Sequence, residues 1–342
     1  MAATQFPTPH TPADHLPDRR GLLSRLWAVN APLTLAGVAM LALLVLTLAG
    51  LVLDARVITG APAWLKPSKF ALSAALYSFT LVWLLGFVQG RPRLVRVSAT
   101  VTALALAIEL AIIVAQAARG TTSHFNVSTP LDATLYSITG AMIMILWAMG
   151  FLAAILLLRQ RLDDPALAWA LRLALLLALV GMAAAVPMTS PSAQQLDGMR
   201  AGQAPTIIGA HNVGVEDGGP GLPVTGWSTR AGDLRVPHFV GLHAMQVLPA
   251  LGWLLGRRRR TLDDRHRVAL VLTAGAAYLG LILLLTWQAL RAQPLVAPDA
   301  LTLAALAGLT AATTLAAGAV VLHARRRSGI YSHADARRPV TA

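Results

Sequence analysis

Long apolar blocks alternate with short polar segments along almost the whole chain. Eight blocks are about 20–26 residues long, which is enough α-helix to cross a bilayer. The predicted membrane-spanning helices lie near residues 33–53, 68–88, 97–118, 133–158, 166–188, 237–256, 268–290 and 300–323. The pattern therefore predicts an all-α fold, a polytopic membrane protein with eight transmembrane helices.

Composition supports this fold class. Of the 342 residues, 56% are hydrophobic and only 13% are charged, whereas soluble proteins carry about 25% charged residues. This low charge excludes a soluble enzyme and a disordered protein. The net charge of +13 does not indicate nucleic-acid binding, because most arginines lie in short clusters beside the apolar blocks and no basic domain lies between them. The expected partner is the lipid bilayer, with no nucleic acid.

The arginines also predict orientation. With the N-terminus in the cytoplasm, 20 of the 26 arginines fall on the cytoplasmic side. The remaining six are Arg56, Arg119, Arg200, Arg230, Arg235 and Arg291. Both lysines, Lys66 and Lys69, also fall on the extracytoplasmic side. We therefore predict that both termini are cytoplasmic. The Ala, Arg, Gly and Pro bias favours a bacterial inner-membrane protein.

Similar motifs close the third and seventh spans and open the fourth and eighth. Residues 116–119 (QAAR) resemble residues 288–291 (QALR), and both are followed by a Pro and an Asp before the next helix. We interpret the chain as two parallel four-helix repeats related by a pseudo-twofold axis along the membrane normal. The predicted divisions are a flexible tail at 1–32, repeats at 33–160 and 161–324, and a second tail at 325–342. In each repeat the Arg is expected to pair with the Asp, Arg119 with Asp132 and Arg291 with Asp299.

One connection, residues 189–236, is much longer than the others and rich in glycine. Loops of this length are lids, binding loops or disordered segments. The glycine spacing fits no phosphate-binding loop. A lid or binding loop and a solvated connector both remain open from the sequence.

Glu109 is the only acidic residue well inside a predicted span, roughly 13 Å below the extracytoplasmic end of its helix. A carboxylate at this depth indicates a proton relay or a ligand site. The alternative is a protonated Glu that is hydrogen-bonded to a neighbouring helix. Gln116 lies seven residues later on the same helix face.

Four of the nine histidines, His124, His211, His238 and His243, fall at the extracytoplasmic end, where Asp217 lies beside His211 in sequence. His238 and His243 are five residues apart and therefore point roughly 140° away from one another. His243 shares a helix face with Gln246. The other five, His10, His15, His266, His323 and His333, are expected to be solvated.

Two interpretations of Lys66 and Lys69 remain open. They lie three residues apart at the start of the second span. They are placed to hold an anion or a carboxylate such as that of Asp132, or to extend from the helix end to the membrane interface.

The absence of cysteine excludes thiolate-ligated cofactors, so a bound metal would need His or oxygen ligands. Our first hypothesis is a site for haem b or a divalent transition metal in a redox or metal-dependent protein. The candidate metal ligands are His124, His211, His238, His243 and Asp217. For haem, His124 and His243 are the candidate ligands, with Lys69 and Arg119 at the propionates. The candidate catalytic residues are Glu109, Gln116 and Gln246. A quinone or another small molecule is the expected partner besides the bilayer.

The eight-span, four-plus-four plan is similar to that of the haem A synthases, a resemblance of architecture alone. That family carries His pairs on corresponding helices of both halves, whereas the position here that matches His243 is near Ser73 or Ala74. A second hypothesis is a proton-coupled secondary transporter that depends on Glu109. A third is a membrane scaffold or sensor, so the sequence leaves open whether the protein is an enzyme.

Overall fold

The described residues include eight apolar helices, each long enough to cross a membrane. The computed structural model describes residues 21–258 and 262–335, with side chains up to residue 327. In chain order the described helices are α1 (Leu22–Val29), α2 (Ala31–Leu53), α3 (Leu65–Leu85), α4 (Pro92–Ala118), α5 (Pro130–Leu158), α6 (Pro165–Ala183), α7 (Ala193–Arg200), α8 (Arg235–Gly256), α9 (Asp264–Leu290) and α10 (Ala300–Asp335). All except α1 and α7 are of spanning length, which confirms the predicted all-α polytopic fold.

Most spanning helices begin a few residues before the predicted apolar block, because polar caps and prolines set their starts. The side chains of Asn30, Thr129, Asp164 and Asp263 accept hydrogen bonds from the first-turn N–H groups of α2, α5, α6 and α9. A proline lies in the first turn of the first three of these helices. These caps fix the residues at which the four helices begin.

The fifth span ends earlier than predicted. We expected a helix over 166–188, but α6 ends at Ala183 and a 3-10 turn covers Val186–Thr189. Pro187 lies in this turn, and a proline cannot donate the hydrogen bond that would continue the α-helix. The chain therefore leaves the bundle here and enters the long connection.

Neighbouring helices pack in the same pattern in the two halves. Helix α2 packs on α3 and α4, and α6 packs on α8 and α9 in the corresponding way. Likewise, α5 packs on α4 as α10 packs on α9, and the two halves meet through α5 and α6. The division into two repeats at 33–160 and 161–324 remains an interpretation that agrees with this packing.

Helices α6 and α8 approach most closely at Gly181 and Gly241. A Cβ atom added to Gly181 would lie 2.5 Å from the Cα atom of Gly241, nearer than any real contact. The two backbones therefore touch, which requires that neither residue carries a side chain.

Helices extend into both predicted tails. Residues 22–29, expected to be flexible, form α1, because Leu26 is buried against the first helices of the bundle. Helix α10 continues through residues 325–335. The remaining parts of the predicted tails, 1–20 and 336–342, lie outside the described residues, as do His10, His15 and the side chain of His333.

A polar cluster that the sequence did not predict joins α6, α9 and α10 at the end of the bundle opposite the long connection. Arg267 is 1% exposed and donates two 3.0 Å hydrogen bonds to Asp164, and it also pairs with Asp264. Nearby, the ring nitrogens of His266 and His323 lie 3.0 Å apart. His266 is buried, which corrects the expectation that it is solvated, whereas His323 is exposed as expected.

We call the end of the bundle that carries the long connection the loop end. It carries the connections 54–64, 119–129, 184–234 and 291–299. A hairpin of β1 (Val57–Ile58) and β2 (Ala61–Pro62) lies in the first connection. A second antiparallel pair, β3 (Asn212–Val213) and β4 (Gly232–Asp233), lies in the third. The long connection 189–236 is thus built of defined elements, which argues against a solvated connector.

Candidate functional site at the loop end

A cavity of about 930 Å³ lies at the loop end, beneath the long connection. Its charged and titratable lining includes Lys66, Lys69, His124, His211, Asp217 and Arg235. Apolar side chains, among them Phe70 and Phe125, form much of the remaining wall. The size is typical of a small-molecule site. These residues come from four separate segments of the chain, so helix packing and loop pairing together build the cavity.

The connection 119–129 pairs with the long connection and brings two histidines together. The backbone N–H of Ile208 donates to Phe125 O at 2.8 Å, and that of Val127 donates to Thr206 O at 2.9 Å. Phe125 is buried and has a φ of 64°, which turns the chain at this point. Its ring packs edge-on against the rings of His124 and His211, with centroids 6.1 and 5.0 Å away.

His124 connects the cavity to a carboxylate inside the bundle. Its Nε2 atom lies 3.4 Å from Oε1 of Glu109, whose side chain is 2% exposed. On the other side of the ring, Nδ1 and the Ser123 hydroxyl share a 3.1 Å hydrogen bond. Glu109 lies nine residues before the end of α4, so the connection that carries His124 folds back into the bundle between α3 and α4.

Glu109 lies in an environment that provides little to stabilise a negative charge. Neither carboxylate oxygen receives a hydrogen bond of acceptable geometry from the described part of the chain. A buried ionised carboxylate without such bonds loses its hydration without compensation. Burial, and next the charge of Lys66, holds the pKa of His124 well below its ordinary range. The ring is therefore neutral at pH 7, and when Ser123 donates to Nδ1 its hydrogen lies on Nε2, facing Glu109.

A second His and carboxylate pair lies across the cavity. Nδ1 of His211 lies 2.5 Å from Oδ2 of Asp217. Asp217 also accepts hydrogen bonds from the backbone N–H groups of His211 and Asn212. Burial opposes ionisation of Asp217, but the hydrogen bonds from His211 and the backbone lower its pKa to about 2. Burial also lowers the pKa of His211 despite the nearby carboxylate. Because Nδ1 of the neutral ring donates its hydrogen to Asp217, Nε2 is the nitrogen with a free lone pair.

The lysines lie on the α3 side of the cavity. Lys69 Nζ donates to the backbone oxygen of Thr225 at 2.8 Å, which fixes part of the long connection over α3. Lys66 Nζ lies 5.8 Å from the centre of the Phe70 ring. Arg235, by contrast, is held in a fork by Asp233, with Nη2 to Oδ2 at 2.6 Å.

Beside the cavity, the predicted Arg and Asp pairs are both present. Arg119 lies 2.7 Å from Asp132, and Arg291 lies 2.5 Å from Asp299. Gln116 is part of the first pair, since its amide donates to Asp132 at 2.8 Å. The expectation that a lysine pairs with Asp132 is therefore wrong, because Arg119 and Gln116 occupy this carboxylate. Gln116 and Arg119 are structural neighbours of the cavity and are not part of its wall.

The two histidines of α8, His238 and His243, form hydrogen bonds outside the cavity. His238 donates from Nδ1 to the backbone oxygen of Gly181 at 2.9 Å. His243 hydrogen-bonds with Gln246 at 3.1 Å, which confirms that the two share a helix face, and Gln246 donates to Thr80 on α3 at 2.9 Å. Neither His238, His243 nor Gln246 lines the cavity.

The five candidate metal ligands are divided among separate contacts. In the described part of the chain, no three His, Asp or Glu side chains converge on one point as a metal site requires. His211 and Asp217 form one group, His124 joins Glu109, and His238 and His243 bond within the bundle. The proposed haem ligands His124 and His243 do not line one shared cavity.

Comparison of the chain with protein-family models, curated proteins and solved structures finds no match. Function is therefore inferred from the geometry of the site.

A buried polar stripe on α4 continues from the site into the bundle. Gln116, Glu109, Thr102 and Ser98 recur at spacings of seven and four residues, which places them on one helix face. All four are buried. The hydroxyls of Thr102 and of Ser78 on α3 have no hydrogen-bond partner within the described residues. Buried orphan polar atoms are characteristic of positions that bind internal water.

Proposed function

We propose that the protein is a proton-coupled secondary transporter whose solute binds in the loop-end cavity on the extracytoplasmic side. The observation that carries this proposal is the contact between His124 and Glu109. It joins a solvent-accessible cavity to a buried carboxylate that lacks hydrogen bonds. Intramembrane carboxylates of this kind take part in proton relays.

Proton transfer to Glu109 requires a path that excludes bulk water, and His124 supplies one. The ring receives a proton from the cavity at one nitrogen and releases one toward Oε1 at the other. The polar stripe on α4 supports the proposal, because Thr102 and Ser98 extend hydrogen-bonding groups from Glu109 toward the opposite end. The matching packing of the two halves also agrees with the repeat construction of many transporters.

Infrared difference spectroscopy tests the proton-carrying role of Glu109 without knowledge of the solute. In purified protein, a step in bulk pH is expected to change the C=O stretching band of a protonated carboxyl group. The band should be absent from the Glu109→Gln variant and should respond more slowly in His124→Phe. Asp197→Asn, which changes an exposed carboxylate in α7, is the control and should keep the wild-type band. A carboxyl band that is unaffected by Glu109→Gln would overturn the proposal.

Transport itself is measured in proteoliposomes that contain a pH-sensitive dye. Addition of a transported solute is expected to acidify the lumen with wild-type protein and with Asp197→Asn, but not with Glu109→Gln. Solute-driven acidification that persists in Glu109→Gln would show that protons do not use this carboxylate.

A second candidate, binding of haem or a transition metal, is favoured by one observation. His211 has Nδ1 held by Asp217 and Nε2 free at the cavity, which is the arrangement of a metal-ligating histidine with its supporting carboxylate. The other ligands do not converge, so no chemical step is assigned to such a group. Optical spectra of oxidised and reduced protein with elemental analysis test this candidate. A Soret band or a stoichiometric metal that is lost in His211→Ala would support it, and a folded, colourless, metal-free protein would exclude it.

A further inference from the structure

The lysines differ from the arginines at the loop end in having no carboxylate partner. Five of the six arginines at this end pair with an aspartate: Arg56 with Asp54, Arg119 with Asp132, Arg200 with Asp197, Arg235 with Asp233, and Arg291 with Asp299. In the described part of the chain, neither Lys66 nor Lys69 lies within 4.0 Å of a carboxylate oxygen. The only two lysines of the chain thus form no direct ion pair with a described carboxylate.

Their position adds to this excess of positive charge. Both lysines lie in the first turns of α3, where the helix dipole is positive and where acidic residues are normally favoured. Trp64 precedes α3 and provides no side-chain cap for the first N–H groups. The cavity therefore receives two lysine amino groups and an uncapped helix start from the same short segment. An anion in the cavity would relieve both unfavourable features.

We propose that the cavity binds a small organic anion through its carboxylate or phosphate group, held between Lys66 and Lys69. Lys69 donates one of its three N–H groups to the backbone oxygen of Thr225, so two N–H groups remain for the ligand. The walls beside the lysines, which include Phe70 and Phe125, accept an apolar body. The inference rests on the proposed transport function and names its solute class. A proton carried by Glu109 then offsets one negative charge of the anion during transport.

The same chemistry is offered by a free anion and by the headgroup of an anionic lipid, so the experiment uses both. The intrinsic tryptophan fluorescence of detergent-purified protein reports its thermal unfolding midpoint. The probes are sodium phosphate, compared with sodium chloride at equal ionic strength, and short-chain phosphatidylglycerol, compared with short-chain phosphatidylcholine. Ligands that bind the folded state raise the midpoint in a concentration-dependent way.

The wild-type midpoint is expected to rise by a few degrees with an anionic probe. Lys66→Gln and Lys69→Gln should each weaken the apparent affinity about tenfold or more, since each removes a charged hydrogen bond. Lys66→Arg retains the charge and controls for misfolding, and it should retain most of the response. Arg200→Gln changes an exposed side chain that does not line the cavity, and this variant should behave as wild type.

Stabilisation by phosphate supports a free anion, and stabilisation by phosphatidylglycerol alone identifies a lipid headgroup as the ligand. No stabilisation by either probe, or an equal response in both Lys→Gln variants and Arg200→Gln, would overturn the inference. The infrared test of Glu109 uses no anion, so a failure here and a failure of the proton-coupled function are separate results.

Discussion

His124 Nε2 lies 3.4 Å from Glu109 Oε1, although the two residues belong to different segments and Glu109 lies two turns inside α4. This contact brings a residue of the loop end into the membrane-spanning part of the bundle. It also connects the buried polar stripe of α4 to the cavity at the loop end.

Glu109→Gln is expected to leave stability nearly unchanged. No hydrogen bond to the carboxylate would be lost, and the neutral amide is easier to bury than an ionised group. We expect a change in the free energy of unfolding within about 1 kcal/mol, read from thermal or denaturant unfolding in detergent. Loss of several kcal/mol would instead show that Glu109 carries a structural hydrogen bond.

Stability should fall as the pH is lowered, in part because of His124. Its folded pKa lies well below the unfolded value of about 6.5. The unfolded state therefore binds the extra proton first, and the stabilising contribution, complete above about pH 6.5, is lost as the pH falls below that value. The unfolding midpoint measured from pH 8 to pH 5 should have a shallower slope in His124→Asn than in wild type. Parallel slopes would contradict a buried neutral ring.

The Gly181 and Gly241 contact predicts a large effect of a single methyl group. Gly241→Ala forces α6 and α8 apart and should destabilise the bundle by about 1–3 kcal/mol, the usual cost of overpacking. Gly308→Ala on α10 is the matched control, because a Cβ there meets no atom within 4 Å. The control should be neutral or slightly stabilising, since alanine is the better helix former. Equal effects of the two changes would show that the helices are not in backbone contact.

Arg267→Ala tests the buried ion pair between α9 and α6. Removing Arg267 takes away the Nη1 group that donates to both oxygens of Asp164, and breaking a buried pair typically costs about 3–5 kcal/mol. Arg200→Ala removes an exposed pair with Asp197, where the expected cost is about 0–1 kcal/mol. Unfolding in detergent should separate the two variants clearly. If both variants unfold like wild type, the ion pair between Arg267 and Asp164 does not stabilise the fold.

The fold was predictable because the signal for a membrane helix is local. Each spanning helix is present in the sequence as its own apolar block, and caps such as Asn30 and Asp164 lie directly before it. The Arg119 and Asp132 pair was predictable for the same reason, since the two residues end and begin consecutive helices and recur as Arg291 and Asp299.

The site was predictable only in part, because its partners are distant in sequence. Single residues stood out, such as Glu109 in an apolar helix and Lys69 among arginines. The backbone pairing of Phe125 with Ile208 has no local signal, and it decides that His124 and His211 share a cavity while His243 does not. The Arg267 and Asp164 pair also escaped prediction, because it depends on how α9 is rotated against α6.

The pairing of residues 125–127 with 206–208 has a consequence for the history of the protein. The two segments belong to opposite halves of the bundle, so a change of length in one alters the surface against which the other pairs. In homologous sequences the two segments should lengthen, shorten and vary in composition together, and a homologue that lacks one should lack the other.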